Sequence, residues 1–331
     1  MCEQPEQPEI SFRAVRFHGY CLPMPSPDTL LQELNEPIAA AHGVRLLLWR
    51  DDLAHPDLPG NKARKLKYNL AAARQQGYRT LLTFGGAYSN HIAAVAAAGR
   101  LFGFQTIGLI RGDEPVPGTA LNPTLARAAA DGMALHYLDR TTYRRRAEPE
   151  FLTELQANFG PAYLLPEGGT NELALPGCAE LVAEIRQQVA FDALAVAVGT
   201  GGTLAGLLTG LTAPAQAVGV AALKNGGFLR NEIDMLTQLA TGQIYANYDL
   251  QTDYHFGGYA KYSANLLVFI TQFRLRHDVL LDPIYTGKLL FGVLDLIARG
   301  YFAPGSTVVA IHTGGQQSWA GWEARFGRGP G

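Results

Sequence analysis

The stretch LAVAVGTGGTLAGLL, residues 194–208, joins an apolar strand to an apolar helix through a glycine-rich turn. The run from Leu194 to Val198 has no polar side chain, as is typical of a parallel strand covered on both faces. The turn leaves backbone N–H groups available at a helix N-terminus, where the helix dipole attracts anions. Tight packing of a strand on a helix also calls for glycine, and the spacing matches neither a Walker A loop nor G-x-G-x-x-G. We interpret the turn as a phosphate loop made of Gly199, Thr200, Gly201, Gly202 and Thr203.

The alternation of strand and helix continues along the chain. Short apolar runs lie at 44–49, 80–84, 106–110, 134–138, 163–165, 218–222 and 307–311, and helical spacing recurs at 62–76, 91–102, 121–130, 173–189 and 287–299. This pattern is typical of crossover units on parallel sheets and predicts an α/β fold. A length of 331 residues suffices for two domains. Because no linker rich in Ser or Pro divides the chain, we expect two intimate open-sheet domains.

Composition excludes several classes of protein. The chain has 27 Lys and Arg against 29 Asp and Glu, whereas a nucleic-acid-binding protein carries a basic excess. No charge occurs from Ala193 to Leu223, but the glycines and Pro214 within it favour a buried strand–loop–helix–strand unit over a membrane span. The N-terminus is acidic, unlike a signal peptide. We therefore expect a cytoplasmic protein that binds neither nucleic acid nor membrane.

Cysteines and the most basic segment suggest no further site. Cys2, Cys21 and Cys178 are too far apart in the sequence to form a metal-ligand pair, so we predict no metal site. Residues 138–149, LDRTTYRRRAEP, are the most polar and basic stretch of the chain. We interpret this stretch as a solvated surface segment rather than an anion site.

Lys62 lies in a turn-to-helix segment, PGNKARKL, residues 59–66. A lysine at a helix N-terminus is repelled by the helix dipole. Either its side chain points into solvent, as most lysines do, or its pKa is depressed and the neutral amine is available for Schiff-base chemistry. The spacing alone favours the solvent-exposed alternative.

Two other segments place polar side chains where a strand ends. In GGAYSNH, residues 85–91, Ser89 or Asn90 is a candidate N-cap, and the loop is also a candidate site for a substrate carboxylate. His91 is a candidate base or an ordinary polar residue of the first helical turn. Tyr285 and Thr313 lie at positions where open α/β sheets bind ligands, although packing explains them equally well.

Five segments, taken in order, resemble one enzyme family. They are GNKARKL (60–66), SNH (89–91), GTGGTLAG (199–206), LDPIYTGK (281–288) and IHTGG (311–315). The chain resembles the pyridoxal-phosphate (PLP) enzymes that include D-cysteine desulfhydrase and 1-aminocyclopropane-1-carboxylate (ACC) deaminase, of the tryptophan synthase β-like fold, fold type II. The resemblance implies a homodimer. It also implies a larger PLP-binding domain of residues 1–72 and 165–331, with a smaller α/β domain of residues 73–164 that carries the Ser-Asn-His loop.

The resemblance implies a role for each matched residue. Lys62 matches the lysine that holds PLP as a Schiff base, Asn90 the residue that bonds the ring hydroxyl, and Thr313 a hydroxyl that meets the pyridine nitrogen. The turn 199–203 matches the phosphate loop. Tyr285 matches an active-site tyrosine near the lysine, and Ser89, with Asn90 and His91, matches the loop that meets the substrate carboxylate.

Departures from the family pattern bear on the substrate. Related ACC deaminases carry Glu directly after the tyrosine, where this chain has Thr286, and a threonine cannot keep the pyridine nitrogen protonated. A second family tyrosine has two candidates here, Tyr259 and Tyr262, between which the sequence does not decide; Tyr259 is taken as a candidate for the substrate site. We therefore expect a lyase that converts D-cysteine to pyruvate, ammonia and sulfide. The alternatives are ACC deamination to 2-oxobutanoate and ammonia, and a PLP-binding protein without turnover.

Overall fold

Two sheets organise the computed structural model, which describes residues 30–116 and 118–315 together with Trp319 and Glu323. Cys2, Cys21 and the acidic N-terminus lie outside the described residues. The strands are β1 (Leu31–Glu33), β2 (Arg45–Trp49), β3 (Thr80–Gly86), β4 (Gln105–Arg111), β5 (Met133–Leu138), β6 (Tyr163–Leu165), β7 (Ala193–Val198), β8 (Gln216–Ala221), β9 (Tyr248–Gln251) and β10 (Thr307–Ile311).

Helices connect these strands as the crossover pattern predicts. They are α1 (Pro37–Ala41), α2 (Asn61–Gln75), α3 (Asn90–Phe102), α4 (Pro123–Ala130), α5 (Arg140–Arg144), α6 (Pro149–Phe159), α7 (Leu175–Gln188), α8 (Gly202–Gly210), α9 (Leu229–Thr241), α10 (Ala264–His277) and α11 (Thr286–Ala298). None of these described helices is long and apolar enough to span a lipid bilayer. The uncharged stretch 193–223 folds into β7, α8 and β8, as expected.

The larger sheet has the strand order β1-β2-β10-β7-β8-β9, and of these described strands only β1 runs antiparallel to its neighbour. Strand β7 is its centre, and alternate residues of β7 enter different cores. Leu194 and Val196 pack with α7 and α8 on one face. Ala195 and Ala197 pack with α10 and α11 on the other face. Both faces are therefore covered, which explains why β7 has no polar side chain.

The smaller sheet has the parallel order β5-β4-β3-β6. Its core on one face includes Leu66 and Leu70 of α2 together with Leu81 and Ile92. Helix α2 therefore contributes apolar side chains to the smaller sheet, while its first turn reaches the larger one. The expected division at residues 72 and 73 falls inside α2 and remains a prediction.

Helix α2 is fixed to α7 by a close backbone approach and a buried ion-pair network. A Cβ on Gly177 would lie 2.1 Å from the carbonyl oxygen of Arg64. The buried guanidinium of Arg64 lies 2.7 Å from Asp51 and 2.7 Å from Glu184. The start of α2 is thus held on both sides, which orients the residues of its first turn.

We predict that Gly177→Ala lowers the free energy of unfolding by about 1–3 kcal/mol, because the two helices must separate to admit a methyl group. Urea denaturation of both proteins measures the difference. Gly227→Ala is the control, since a Cβ there meets nothing within 4 Å. Equal losses of stability in the two variants would contradict this packing argument.

Candidate active site

A cavity of about 560 Å³ lies where the carboxyl ends of strands from both sheets meet. Its wall contains twelve of the residues that the sequence singled out as site candidates, but not Tyr262. These are Lys62, Ser89, Asn90, His91, Gly199, Thr200, Gly201, Gly202, Thr203, Tyr259, Tyr285 and Thr313. Side chains distant in sequence therefore face one space, as the order of the five segments predicted.

Lys62 reaches the cavity because the chain turns sharply before α2. Gly60 has a φ of 72°, and a Cβ there would lie 2.0 Å from the carbonyl oxygen of Thr313, so only glycine fits. The Lys62 amine donates to Asn61 Oδ1 at 2.8 Å, and Asn61 Nδ2 donates to Thr203 Oγ1 at 2.8 Å. Asn61 thus connects Lys62 to the glycine-rich turn.

Burial changes the chemistry of Lys62. Removal from water lowers its pKa to about 8. The side chain lines the cavity and does not extend into bulk solvent, so the solvent-exposed alternative was wrong. Desolvation is the main cause of this lowered pKa, whereas the sequence pointed to the helix dipole. A substantial fraction of the amine is therefore neutral near pH 8.

A second lysine, which the sequence analysis did not single out, lies one helical turn further along α2. Lys65 is buried and donates to the carbonyl of Gly168 at 2.6 Å and to Thr170 Oγ1 at 2.7 Å. A Cβ on Gly202 would lie 3.1 Å from Lys65 Cε. Burial, and then Lys62, lower the pKa of Lys65 to about 7. Residues three apart in a helix lie on the same face, so the spacing of Lys62 and Lys65 could have identified Lys65 from the sequence.

The glycine-rich turn has the backbone expected of an anion cradle. Gly201 adopts a φ of 81°. Helix α8 begins at Gly202, so the helix end with free backbone N–H groups is the end that lines the cavity. Thr200 Oγ1 lies 2.6 Å from Thr170 Oγ1, which Lys65 also bonds. The turn therefore offers backbone donors, hydroxyl groups and a nearby cation.

The Ser-Asn-His loop combines a helix cap with an unsatisfied amide. Ser89 is the N-cap of α3, and its Oγ accepts from the N–H groups of His91 and Ile92, which leaves its hydroxyl proton available as a donor. The Oδ1 atom of Asn90 is buried and has no hydrogen-bond partner among the described residues. A bound polar group would satisfy it.

His91 is held as a neutral ring. Its Nε2 donates to Thr83 Oγ1 at 2.8 Å, and Thr83 donates its own proton to the carbonyl of Leu165. Burial, followed by the charges of Lys62 and Lys65, lowers the pKa of His91 well below its usual value. The ring is therefore a fixed part of the wall.

Two tyrosines cover the opposite side. The rings of Tyr259 and Tyr285 have centroids 6.1 Å apart, and the Tyr285 hydroxyl would lie 3.3 Å from a Cβ on Gly199. Burial, with the neighbouring Tyr259, raises the pKa of Tyr285 well above its usual value, so its phenol stays protonated. Tyr262 instead packs against the core of the larger sheet.

Asp282 supports this side of the cavity and was not singled out from the sequence. Its carboxylate accepts from the backbone N–H groups of Ile284, Tyr285 and Thr286. The buried Thr286 donates its hydroxyl to Asp282 at 2.6 Å and is not among the residues that line the cavity. Thr286 therefore acts on the Asp282 turn, whereas the sequence argument placed it beside a cofactor nitrogen.

A family model described as "Pyridoxal-phosphate dependent enzyme" matches residues 27–314. The chain belongs to this family. A protein named "Putative 1-aminocyclopropane-1-carboxylate deaminase" from Pyrococcus horikoshii is 31% identical over 302 residues, 89% of this chain and 90% of its own length. D-cysteine desulfhydrase from Klebsiella pneumoniae is 30% identical over 307 residues, 88% of this chain and 92% of its own. The crystal structure of an ACC deaminase homologue matches with a TM-score of 0.76 and 31% identity, over 86% of this chain and 88% of that one.

These comparisons confirm the fold class, the PLP dependence and the family expected from the sequence. The site fits the cofactor on its own observations as well. The turn 199–203 and Lys65 suit a phosphate, the orphaned Asn90 Oδ1 suits a ring substituent, and Lys62 offers an amine for a Schiff base. In this PLP-dependent enzyme, Thr313 lines the cavity as a candidate partner of the ring nitrogen.

We predict that pyridoxamine phosphate, which has no aldehyde to react with Lys62, binds the PLP-free protein less tightly as pH rises above about 7. Lys65 has a pKa of about 7 there, and a phosphate dianion stabilises its charged form. Above that pH, Lys65 must take up a proton when the ligand binds, and the affinity falls. Below that pH, Lys65 is already protonated and the affinity is not reduced by this step. Lys65→Met should weaken binding and remove the decline that begins near pH 7.

Calorimetric titration from about pH 6 to pH 9 measures this dependence. Lys62→Ala is the matched control: the decline should persist without it but begin at a higher pH, because the charge of Lys62 is one of the causes that lower the pKa of Lys65. A Lys65→Met profile identical to that of the wild type would contradict a role for Lys65 at the phosphate.

Proposed function

We propose that the protein is a PLP-dependent lyase that removes the β-substituent of a small amino acid. For D-cysteine, water is consumed and the products are pyruvate, ammonia and hydrogen sulfide. One observation carries the proposal: a candidate base and a candidate acid line the same cavity. The base is the buried Lys62 amine, with a pKa of about 8, and the acid is the protonated Tyr285 phenol. The relatives named D-cysteine desulfhydrase support this reaction type.

Lys62 has two tasks in this proposal. It would hold the cofactor, and its amine, when free and neutral, would accept the proton from Cα of the substrate. Bound PLP supplies an electron sink for the charge left at Cα. The depressed pKa matters because a lysine with its usual pKa would be almost wholly protonated near neutral pH.

Tyr285 and the Ser-Asn-His loop orient the substrate. The Ser89 hydroxyl and the start of α3 offer donors to the substrate carboxylate, with Asn90 directed at the cofactor ring. Tyr285 donates a proton to the departing sulfur, because its raised pKa keeps the phenol in its protonated form. Tyr259 packs edge-on to Tyr285 and fixes that ring.

ACC deamination is the second candidate, and the name of the matched solved structure favours it. ACC has no β-substituent to expel, so its ring must open before ammonia is released. Thr286, from which the sequence favoured elimination, is buried, bonds Asp282 and does not line the cavity, so it does not separate the two reactions. A non-catalytic PLP-binding protein is the third candidate. The homodimer and the cytoplasmic location remain predictions.

We predict that the PLP-loaded protein releases pyruvate and sulfide together from D-cysteine, and that Lys62→Ala abolishes this release. The reason is that no other described amine in the cavity is placed to replace Lys62, since Lys65 is bonded to Gly168 and Thr170. Coupled assays of pyruvate and sulfide, with L-cysteine, D-serine and ACC in parallel, measure it. Formation of 2-oxobutanoate from ACC, with D-cysteine inert, would favour the second candidate.

We predict that Tyr285→Phe lowers kcat on D-cysteine by about 10²–10⁴-fold, the usual cost of losing a proton-transfer group. The cofactor should still bind, because Tyr285 is not part of the phosphate loop and does not replace Lys62 as the point of attachment. Tyr262→Phe is the control, since that ring packs in the core of the larger sheet. Equal kcat values for the two variants would exclude Tyr285 as the proton donor.

A further inference from the structure

Arg111 lines the same cavity without belonging to the proposed machinery. It ends β4 in register with Gly86 of β3, and a Cβ on Gly86 would lie 3.5 Å from its Nη2 atom. Gly86 opens the loop that leads to Ser89. The guanidinium of Arg111 therefore extends across the entrance of the loop assigned to the substrate carboxylate.

The position of Arg111 is set by a buried aromatic ring. Its guanidinium carbon lies 5.5 Å from the centroid of Tyr143, and that of Arg146 lies 5.2 Å from the same ring. Tyr143 is buried and donates its hydroxyl to Glu167 at 2.9 Å, while Arg146 pairs with Glu167 at 2.8 Å. Stacking and pairing limit the freedom of both guanidinium groups, which preorganises them for an anion.

Charge within this arginine cluster, defined as Arg111, Arg146, Tyr143 and Glu167, is not balanced. The single carboxylate of Glu167 is taken by Arg146 and Tyr143. Among the residues that the structure describes, Arg111 has the ring of Tyr143 as its contact and no carboxylate in an ion pair with it. One positive charge thus faces the cavity. Residues 138–149, expected to be a solvated segment, supply Tyr143 and Arg146 to this cluster.

The other anions of the proposed reaction already have receptors. The cofactor phosphate has the turn 199–203 with Lys65, and the substrate carboxylate has the loop at Ser89 and Asn90. Arg111 ends β4 of the smaller sheet, whereas the phosphate turn follows β7 of the larger sheet, and the charge of Arg111 acts on the phenol of Tyr259. A third anion is therefore the group that the arginine cluster suits.

We infer that the site selects amino acids whose side chain ends in a carboxylate, and that Arg111 binds this second carboxylate. The inference rests on the proposed function and narrows it: the natural leaving group would be a thiol that carries a carboxylate, and D-cysteine, which lacks this second carboxylate, would be a minimal substrate that does not engage Arg111. In S-carboxymethylcysteine, the bond between Cβ and sulfur breaks and water is consumed. The products are pyruvate, ammonia and mercaptoacetate, whose sulfur takes its proton from Tyr285.

Binding of unreactive amino acids tests the selectivity without turnover. The probes are glutamate against glutamine and aspartate against asparagine, in both enantiomers, titrated calorimetrically into the PLP-loaded protein. Each pair differs in charge and hardly in shape. At least one acid should bind about tenfold or more tightly than its amide, the usual strength of a charge-assisted hydrogen bond.

Arg111→Met should bring the acid-to-amide ratio to about one, and Arg111→Lys should retain part of it. Arg145→Met is the matched control for long-range charge, because Arg145 pairs with Glu148 and Glu154 and does not line the cavity. The acid-to-amide binding ratio of Arg145→Met should equal that of the wild type. Equal binding of acids and amides by the wild type, or an unchanged ratio in Arg111→Met that holds cofactor normally, overturns the inference.

Turnover separates this inference from the proposed function. The matched substrates are S-carboxymethylcysteine and its neutral amide, S-carbamoylmethylcysteine, with kcat/KM as the readout. A ratio of about ten or more that falls to about one in Arg111→Met supports the inference. Equal turnover of both substrates overturns it and leaves the lyase function standing. Acid-selective binding with no elimination from any cysteine derivative refutes the lyase function and leaves the selectivity standing.

Discussion

The removal of the Lys62 amine from water is the constraint on which the site depends. A buried lysine keeps its usual pKa only if an anion pairs with it, and the hydrogen-bond partner of Lys62 is the neutral side-chain oxygen of Asn61. Its pKa therefore falls to about 8. The backbone enforces this burial, because Gly60 passes so close to Thr313 that no side chain fits between them.

Several contacts hold that arrangement from a distance. Arg64 ties the first turn of α2 to Asp51 and Glu184, and α7 lies directly on the α2 backbone. On the opposite wall, the carboxylate of Asp282 accepts three successive backbone N–H groups and so fixes the turn that presents Tyr285. Acid and base are thus positioned by separate elements, one from each side of the cavity, and each group has a pKa set by its own burial.

Much of the fold was predictable because β7 and its neighbours are covered on both faces and have continuous apolar sequences. The strands β1 and β9 were not predicted, since they lie at the edges of the larger sheet, and YDLQ of β9 alternates polar and apolar residues. Lys62, Asn90 and the turn 199–203 were found through an ordered set of motifs. Arg111 has no such signal, because its role arises from contacts with Tyr143 and Gly86, which lie far from it in sequence. Asp282 lies within one of these motifs and bonds only nearby residues of the same turn, but its role in fixing that turn was not singled out from the sequence. The choice of Tyr259 over Tyr262 likewise depends on which ring faces the cavity.

Folding alone lowers the pKa of the Lys62 amine, before any cofactor or substrate binds. A site-resolved titration tests it most directly: the PLP-free protein is acylated briefly with an amine-selective reagent at a series of pH values, and mass spectrometry follows the peptide that contains Lys62. We expect a midpoint near 8. A midpoint near 10.5, the value for a hydrated lysine, would contradict it.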